Sequence, residues 1–244
     1  MLKDTIKVDR KHVKMVAHRG MSGLERENTN VAFVAAGNRS YFGIETDIHR
    51  TADGKFVVIH DENTKRVSCD AVDVNVEEVS YDILKDIVLP DLDGSTTRKD
   101  IRIPLLSEYV HICKKYDKVG VLELKNPFTR EELQEIVKII KEQDYLEGII
   151  FISFDWNNCV VMREILPKQP IQWLTAEHIT AEKIQELVDH KLDLDIYYGV
   201  LNAEDVVALH ENNIEINCWT CDTKEEAEKL IEWGVDYITS NILE

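Results

Sequence analysis

The 244-residue sequence predicts a single α/β domain folded as a (β/α)8 (TIM) barrel, and three observations lead to that prediction. The length fits one such domain, because an eightfold barrel typically has roughly 250 residues. Short apolar runs alternate with amphipathic stretches, which indicates parallel strands joined by helical crossovers. No linker or low-complexity stretch interrupts residues 1–244, which contain only 10 Gly and 5 Pro. A doubly wound open sheet is the structural alternative.

Eight apolar runs have the length and composition of buried strands, and eight is the number that a closed barrel needs. They cover residues 14–18, 43–48, 119–124, 148–154, 171–175, 192–198, 214–219 and 235–239. Several intervals between them carry helix start signals. Thr129, Thr180 and Thr223 each precede a stretch with acidic residues in its first turn and apolar residues spaced by three and four.

The interval after the second run is longer than the others and predicts an insertion at about residues 61–103. This long interval begins, before the insertion, with a predicted hairpin from Thr51 to His60 around Asp53-Gly54. Within the insertion, a short helix is predicted after Ser80. A longer helix is expected at about Leu106–Lys115. We expect the insertion to lie at the C-terminal mouth of the barrel, where barrel enzymes carry their chemistry.

The composition argues against several classes of partner. The chain has 29 Lys+Arg against 46 Asp+Glu, a formal charge of −17, whereas nucleic acids and anionic membranes attract basic surfaces. No run approaches the ~20 apolar residues of a membrane helix, so stable membrane insertion is not expected. The charged N-terminal stretch and the sparse, odd set of five cysteines predict a cytoplasmic protein with reduced thiols. This prediction leaves open a leader that was removed from the sequence. Cys218 and Cys221 are interpreted as two ordinary thiols.

Three carboxylates are expected to meet at the mouth of the barrel. Glu45 and Asp47 lie two residues apart and leave the same face of one strand, and Glu123 and Lys125 repeat this spacing at the end of the next parallel strand. Such a cluster repels itself unless a cation neutralises it, and oxygen ligands suit Mg²⁺ or Ca²⁺. The alternative is a set of solvated or salt-bridged carboxylates.

Two histidines also come at the ends of apolar runs. His18 is followed by Arg19-Gly20, and His60 is followed by Asp61. Next to three carboxylates they suggest a general acid and a general base, although each alone is also typical of a hydrogen-bonded structural histidine. The planar guanidinium of Arg19 suits a phosphate, and Lys125 adds a second cation. His49 shares the face of Glu45 and Asp47, which raises the possibility of a fourth ligand.

The chain resembles the bacterial glycerophosphodiester phosphodiesterases from about residue 14 to 240. The resemblance rests on motifs that follow one another in order: His18-Arg19-Gly20, Glu27-Asn28-Thr29 with Ala32-Phe33, Glu45-x-Asp47, Thr51-x-Asp53-Gly54, His60-Asp61, Ile103-Pro104-x-Leu106-x-Glu108 and Glu123-x-Lys125. The chain departs from the family in two places. Arg26 stands where the family often has Pro, and Ser240 removes a carboxylate from the end of the last strand.

The resemblance implies a role for nine residues. Glu45, Asp47 and Glu123 would bind one divalent cation, Mg²⁺ or Ca²⁺, and His18 and His60 would be the catalytic acid–base pair. Arg19 and Lys125 would contact the phosphate, while Trp219 and Phe154 would form an apolar wall near the glycerol moiety. Asn28 is interpreted as a residue that holds its loop or caps the first helix.

The implied reaction is metal-dependent hydrolysis of a glycerophosphodiester to an alcohol and glycerol 3-phosphate, with a small molecule as the only expected partner. Two other functions are consistent with the same barrel. One is a lysophospholipase D-like phosphodiesterase that accepts an acyl chain, and the other is a non-catalytic phosphodiester-binding barrel. The oligomeric state, the headgroup preference and the choice of ion do not follow from the sequence.

Overall fold

A computed structural model describes residues 4–244 and confirms the closed barrel. Eight parallel strands are hydrogen-bonded in a ring, and β1 pairs with β2 to close it, which excludes the open sheet. A ninth strand, β3, pairs antiparallel with the end of β2. The strands are β1 Lys14–Ala17, β2 Gly43–Arg50, β3 Phe56–Val58, β4 Val119–Leu124, β5 Ile149–Ser153, β6 Ile171–Thr175, β7 Asp193–Tyr197, β8 Ile216–Trp219 and β9 Tyr237–Ser240.

Helices connect the strands, and the three that follow Thr129, Thr180 and Thr223 begin at the predicted start signals. The helices are α1 Asn30–Gly37, α2 Tyr81–Leu84, α3 Leu106–Tyr116, α4 Arg130–Glu142, α5 Trp156–Ile165, α6 Ala181–His190, α7 Ala203–Glu211 and α8 Lys224–Trp233, with short 3₁₀ turns at Leu146–Gly148 and Tyr198–Val200. Thr129, Thr180 and Thr223 cap α4, α6 and α8, each with a side-chain oxygen that accepts from a backbone N–H three residues on. The caps satisfy amide groups that have no partner within the helix.

The inside of the barrel changes character along its axis. Towards the N-terminal ends of the strands, the interior is filled by apolar side chains, including Val16, Val121, Ile150 and Tyr237. At the C-terminal ends of the strands, β2 and β4 carry buried carboxylates in place of apolar residues. Because these apolar side chains fill the barrel interior, a ligand can enter only at the C-terminal mouth.

The segment between β3 and α3 folds over this mouth around a small core of its own, which includes Val67, Leu84 and Ile101. It contains the short helix α2, as predicted after Ser80. Arg26 fastens it to the loop after β1, donating from Nε to the carbonyl of Pro90 at 2.6 Å and from Nη2 to that of Asp91 at 3.0 Å. The residue that departs from the family pattern therefore anchors the insertion.

Two further expectations concern the chain as a whole. Within residues 4–244, no helix has both the length and the apolar character needed to cross a membrane. All five cysteines lie in this range and carry free thiols, and Cys218 and Cys221 are buried. Burial raises the pKa of the Cys221 thiol to about 12, so this pair consists of unreactive core thiols.

Candidate active site

The mouth of the barrel holds a cavity of about 80 Å³. Seven of the nine residues predicted for the site line it: His18, Arg19, Glu45, His60, Glu123, Phe154 and Trp219. The other two lie directly behind this lining. Asp47 is almost completely buried, and Nζ of Lys125 donates to Oε1 of Glu123 at 2.8 Å. The structure therefore brings all nine residues to one end of the barrel.

β2 and β4 place three carboxylates side by side. Glu45 and Asp47 project to the same side of β2, and Asp47 lies opposite Glu123 in the strand register. One oxygen from each carboxylate lies within 4.8 Å of the others, and all three side chains are buried. Oδ1 of Asp47 is buried without a hydrogen-bond partner among residues 4–244. An all-oxygen set with an unpartnered buried atom fits a hard divalent cation.

The three carboxylates differ in their pKa because their neighbours differ. Burial, followed by the charges of Asp47 and Glu123, raises the pKa of Glu45 well above its ordinary value. Burial and the charge of Asp47 raise the pKa of Glu123 to about 8. Burial acts in the same direction on Asp47, but the charges of Arg19 and Lys125 outweigh it and hold the pKa of Asp47 well below its ordinary range. Without a cation, both glutamates of the cluster therefore hold a proton more strongly than an ordinary carboxyl group does.

The His18-Arg19-Gly20 turn directs a backbone amide into this cluster. Arg19 has a φ of +53°, and its N–H donates to Oε2 of Glu45 at 2.8 Å. Gly20 has a φ of +76°, and a Cβ there would lie 2.7 Å from the backbone carbonyl carbon of Ala32. Only glycine fits both the left-handed backbone and this close approach to α1.

Two cations compensate the carboxylates. Nε of Arg19 lies 3.4 Å from Oδ2 of Asp47, and its Nη1 donates to Oε1 of Glu27 at 2.8 Å. Nζ of Lys125 bonds Glu123 and lies 3.6 Å from Oδ1 of Asp47. Arg19 lines the cavity whereas Lys125 stands behind it, so Arg19 is the cation that a ligand in the cavity meets directly.

His18 is oriented by an amide that is itself held by a carboxylate. Nδ1 of His18 lies 2.8 Å from Oδ1 of Asn241, and Nδ2 of Asn241 donates to Asp222 at 2.6 Å. With the amide fixed in this way, Nδ1 of His18 is the donor and Nε2 is left to the cavity, 3.9 Å from Glu45. Asp222 also accepts from Ser240 Oγ at 2.9 Å, so the loop after β8 supplies a carboxylate beside the position where the last strand lacks one.

His60 is oriented by a carboxylate directly. Its Nδ1 lies 2.7 Å from Oδ1 of Asp61. Hydrogen bonding to Arg66 is the main reason that the pKa of Asp61 falls to about 2, so Asp61 is ionised and accepts from His60. Nε2 of His60 is then the ring nitrogen available to the cavity.

Both histidines have a lowered pKa. Burial, reinforced by the charge of Arg19, lowers the pKa of His18 to about 4. Burial is also the largest cause for His60, whose pKa falls below its ordinary value although the bond to Asp61 opposes the change. Near neutral pH each ring is therefore uncharged and can accept a proton at Nε2.

The opposite side of the cavity is apolar. Ile152 and Leu174 line it from β5 and β6, and Phe154 and Trp219 stand above them with ring centroids 5.6 Å apart in an edge-to-face contact. Phe154 is 47% exposed, so one side of its ring is open to the mouth. An apolar wall opposite a charged one suits a ligand that has a phosphate at one end and carbon atoms at the other.

Comparison with known proteins assigns the chain to one family. The family model for the glycerophosphoryl diester phosphodiesterase family matches residues 18–243. The chain belongs to the glycerophosphoryl diester phosphodiesterase family. The prediction from the motifs, a phosphodiesterase of this family, is thereby confirmed.

Relatives and solved structures of this family match over nearly the whole chain. A glycerophosphodiester phosphodiesterase of Caldanaerobacter subterraneus subsp. tengcongensis is 29% identical over 93% of this chain and 93% of its own length. The Mycoplasma genitalium protein MG293 is 42% identical over 89% of this chain and 90% of its own. A crystal structure of a glycerophosphodiester phosphodiesterase from Parabacteroides distasonis superposes with a TM-score of 0.79, at 26% identity over 94% of this chain and 93% of that one.

The structure contradicts one of the two roles predicted for Asn28, the helix cap, and agrees with the other, that of holding its loop. Thr29, not Asn28, caps α1. Nδ2 of Asn28 donates to Oδ2 of Asp47 at 2.7 Å, and its Oδ1 accepts from Thr46 Oγ1 at 2.7 Å. The Asn28 amide therefore holds one oxygen of the carboxylate cluster. A φ of +53°, which asparagine tolerates better than most residues, turns it inward.

His49 does not join the cluster. Its Nδ1 lies 2.8 Å from Oε1 of Glu77, and its Nε2 lies 3.0 Å from the carbonyl of His60. Both ring nitrogens are thus engaged by groups outside the cluster, which ties β2 to the loop after β3. The idea that His49 is a fourth ligand is wrong.

Three other groups at the site were not found from the sequence. The Asn241–Asp222 pair contacts His18, and Arg66 contacts Glu27. Both contacts join side chains distant in sequence, so no local spacing indicates them. Asp195 lines the cavity from β7, and its Oδ1 is buried without a hydrogen-bond partner in the described range. Its inward position was available as a signal, because charged residues alternate with apolar ones in the sixth run, LDLDIYY.

Proposed function

We propose that the chain hydrolyses glycerophosphodiesters to an alcohol and glycerol 3-phosphate in the cavity at the barrel mouth. The observation that carries the proposal is the position of three buried carboxylates beside two histidines, each of which has its Nδ1 engaged and its Nε2 available. Family membership and the curated relatives named glycerophosphodiester phosphodiesterase support the same reaction.

Glu45, Asp47 and Glu123 would hold one divalent cation, Mg²⁺ or Ca²⁺. The fit rests on their oxygen ligands, on their spacing within 4.8 Å and on the unpartnered Oδ1 of Asp47. When bound, such a cation supplies positive charge against the phosphate oxygens. Asn28 keeps the other oxygen of Asp47 in place through the 2.7 Å bond from its amide.

The remaining residues would bind the phosphate and move protons. Arg19 lines the cavity and presents a guanidinium, which stabilises charge that develops on phosphoryl oxygens. Nε2 of one histidine takes a proton from the attacking oxygen. Nε2 of the other first binds a proton from solvent and then donates it to the leaving oxygen. The apolar wall of Phe154 and Trp219 contacts the carbon atoms of the glycerol moiety.

The shape of the mouth favours small alcohol portions over acyl chains. The cavity of about 80 Å³ is far below the ~300–1,000 Å³ typical of pockets that enclose drug-sized ligands. The insertion adds two exposed large apolar side chains, Ile83 and Leu92. A lysophospholipase D substrate would therefore have to leave its acyl chain outside the cavity.

The test measures glycerol 3-phosphate release from glycerophosphocholine, glycerophosphoethanolamine and lysophosphatidylcholine. Each substrate is assayed in EDTA and after addition of Mg²⁺ or Ca²⁺. We expect turnover of the first two substrates that EDTA abolishes and one of the cations restores. Turnover that is indifferent to EDTA contradicts the metal assignment, and preferential cleavage of lysophosphatidylcholine contradicts the substrate assignment. No turnover of any of the three contradicts the proposed function.

A further inference from the structure

Asp195 is a buried acid that the phosphodiesterase site, as described so far, does not use. It lies on β7, on the side of the cavity that Leu174 and Trp219 also line, and it is 2% exposed. Its Oδ1 has no hydrogen-bond partner among the described residues, and the Nε1–H of Trp219 is buried without a partner as well. A buried polar atom without a partner costs free energy, so a pair of them in one wall is unfavourable unless a ligand engages them.

The chemistry of the two atoms indicates the ligand. The indole N–H of Trp219 can only donate, and the oxygens of Asp195 accept, or donate when protonated. Burial, followed by the charge of Glu123, raises the pKa of Asp195 well above its ordinary value. An alcohol hydroxyl donates and accepts at one oxygen, so it satisfies such a pair. A methyl or methylene group leaves both atoms unpaired.

We propose that Asp195, together with the Trp219 N–H, binds hydroxyl groups of the glycerol moiety and makes the site selective for polyol phosphodiesters. This inference rests on the proposed function and deepens it. Sites that hydrogen-bond a substrate hydroxyl discriminate strongly against analogues that lack it, because the buried groups are then left unpaired. An apolar wall alone discriminates weakly between glyceryl and propyl groups.

The experiment compares two phosphodiesters that share p-nitrophenol as leaving group, glycerol 3-(p-nitrophenyl phosphate) and propyl p-nitrophenyl phosphate. Wild type is expected to prefer the glyceryl ester in kcat/KM by about 10-fold or more. Asp195→Leu should remove most of that preference by lowering only the glyceryl value, and Asp195→Asn should retain part of it. The Tm of Asp195→Leu should not fall, since leucine replaces an unpaired polar group with an apolar one of similar size.

The outcomes separate this inference from the proposed function. If wild type cleaves both esters without preference, or if Asp195→Leu lowers both values equally, the phosphodiesterase stands and the hydroxyl site is wrong. A fall in Tm in Asp195→Leu with an unchanged preference assigns Asp195 to the fold and also overturns the inference. If wild type cleaves neither ester nor any glycerophosphodiester, the proposed function itself fails.

A second and independent observation concerns Arg66, on the insertion. Its guanidinium donates twice to Glu27, at 2.7 and 2.9 Å, and twice to Asp61, at 2.7 and 3.0 Å. Glu27 in turn accepts from Arg19, and Asp61 accepts from Nδ1 of His60. Through these two carboxylates, Arg66 connects Arg19, the cation proposed to bind the phosphate, to the catalytic histidine His60.

Hydrogen bonds hold the backbone around Arg66 in place, which fixes the point from which the Arg66 side chain extends. Thr64 and Ser68 both donate a side-chain hydroxyl to the carbonyl of Val72 at 2.8 Å. Val67, the next residue, is buried in the core of the insertion. Paired bidentate contacts of this kind fix geometry, whereas the ion pairs of a half-exposed arginine contribute little to stability.

We infer that Arg66 is a positioning residue, through which the insertion sets the orientation of His60 and Arg19 for catalysis. Small misplacements of catalytic groups are costly, on the order of 10²-fold for 1 Å. The expected effect on kcat rests on the proposed function. The orientation of the His60 ring does not, because it can be measured without substrate.

Arg102 provides a matched control on the same insertion. It is 40% exposed, against 47% for Arg66, and it donates to the carbonyls of Lys85 and Lys99 and to Asp86, away from the cavity. Arg66→Ala is expected to lower kcat by about 10- to 100-fold. Arg102→Ala is expected to stay within about twofold of wild type and to show a similar small change in Tm.

Three further measurements test how Arg66 acts. Guanidinium at low millimolar concentration should partly rescue Arg66→Ala, whereas methylammonium should not, because only a planar ion makes both bidentate contacts. In a Glu27→Gln/Asp61→Asn background, Arg66→Ala should cost little more, since both connections are already lost. ¹⁵N NMR of the imidazoles should show His60 as the Nδ1–H tautomer in wild type and as a mixture in Arg66→Ala.

Each result bears on the inference by itself. An Arg66→Ala variant with wild-type kcat, or one that loses as much in the double-mutant background as in wild type, overturns it. An unchanged His60 tautomer in Arg66→Ala also overturns it. Should wild type lack turnover while the tautomer responds to Arg66→Ala, the positioning holds and the proposed function fails instead.

Discussion

The two sides of the barrel mouth are built from the same kind of strand but differ in chemistry. The side formed by β1, β2 and β4 brings His18, Glu45, Asp47 and Glu123 to the cavity, with two cations around them. The side formed by β5, β6 and β8 brings Ile152, Phe154, Leu174 and Trp219. The comparison teaches that an approximately symmetric scaffold can separate a reacting centre from a binding surface by strand position alone.

The two sides also differ in what they contribute to stability. Burying apolar side chains stabilises the barrel by about 25 cal/mol per Å². Burying three carboxylates opposes folding, and the nearby cations offset only part of the cost, as the raised pKa of Glu45 and of Glu123 indicates. We therefore expect substitutions on the charged side to change catalysis most, and those on the apolar side to change binding.

The largest expected effect comes from the two histidines. His18→Ala and His60→Ala should each lower kcat by roughly 10²–10⁴-fold, because each removes a proton-transfer group. Circular dichroism should show that both variants remain folded. A variant that kept the kcat of wild type would remove its histidine from the mechanism.

Next in size is a direct comparison of the two sides. Arg19→Lys should lower kcat/KM by about 10²-fold, since lysine cannot present two parallel donors to a phosphate. Phe154→Leu should cost about 10-fold or less, mainly through KM, because it trims an apolar contact. Steady-state kinetics on one glycerophosphodiester measure both. Equal losses in kcat for the two variants would mean that the division between the sides does not hold.

Most of this architecture could be predicted from the sequence because its signals are local. Strand runs, threonine caps and the pairs Glu45/Asp47 and Glu123/Lys125 each depend on spacing within a few residues. The groups that were missed depend on side chains far apart in sequence. Asn241 reaches His18 across 223 positions, and Arg66 reaches Glu27 across 39. Such contacts are set by loop conformation, which the periodicity of the strands does not encode.

The third prediction concerns the cation itself. Saturating Mg²⁺ or Ca²⁺ should raise the Tm of the EDTA-treated protein by roughly 5–10 °C. A ligand at a hundredfold excess over Kd stabilises the folded state by about 2.7 kcal/mol, and each kcal/mol is worth roughly 2–4 °C in a domain of this size. Differential scanning calorimetry with and without the cation measures the shift.

The control for this cation-induced rise in Tm uses buried carboxylates on both sides of the mouth. Asp47→Asn should abolish most of the shift, because it removes a ligand from the cluster. Asp195→Asn changes a buried carboxyl that lies outside the cluster and should retain the shift. Equal shifts in wild type and Asp47→Asn would show that the cation binds elsewhere.

The smallest expected effect is a pH dependence of stability that arises mainly from the buried carboxyl groups of the charged side. Without a cation, Glu123 keeps its proton up to about pH 8, whereas in the unfolded chain it loses it near 4.5. Between these values the folded state binds more protons, so stability falls as pH rises. The lowered pKa of His18 acts in the opposite direction, but only between about 4 and 6.5. The window from pH 6.5 to 8 therefore isolates the acids with a raised pKa.

In EDTA, the Tm of wild type should fall by about 2–4 °C between pH 6.5 and 8, which corresponds to ~1 kcal/mol for one partly released proton. Glu123→Gln should flatten most of that slope, because it removes the titrating group while keeping a polar side chain at its position. A remaining slope is expected from Glu45 and Asp195, whose pKa is also raised. Saturating cation should reverse the trend in wild type, since the ligands bind it only when ionised and a higher pH favours that form. A slope in EDTA that is the same in wild type and Glu123→Gln would mean that the buried carboxylates do not repel one another as their positions on β2 and β4 require.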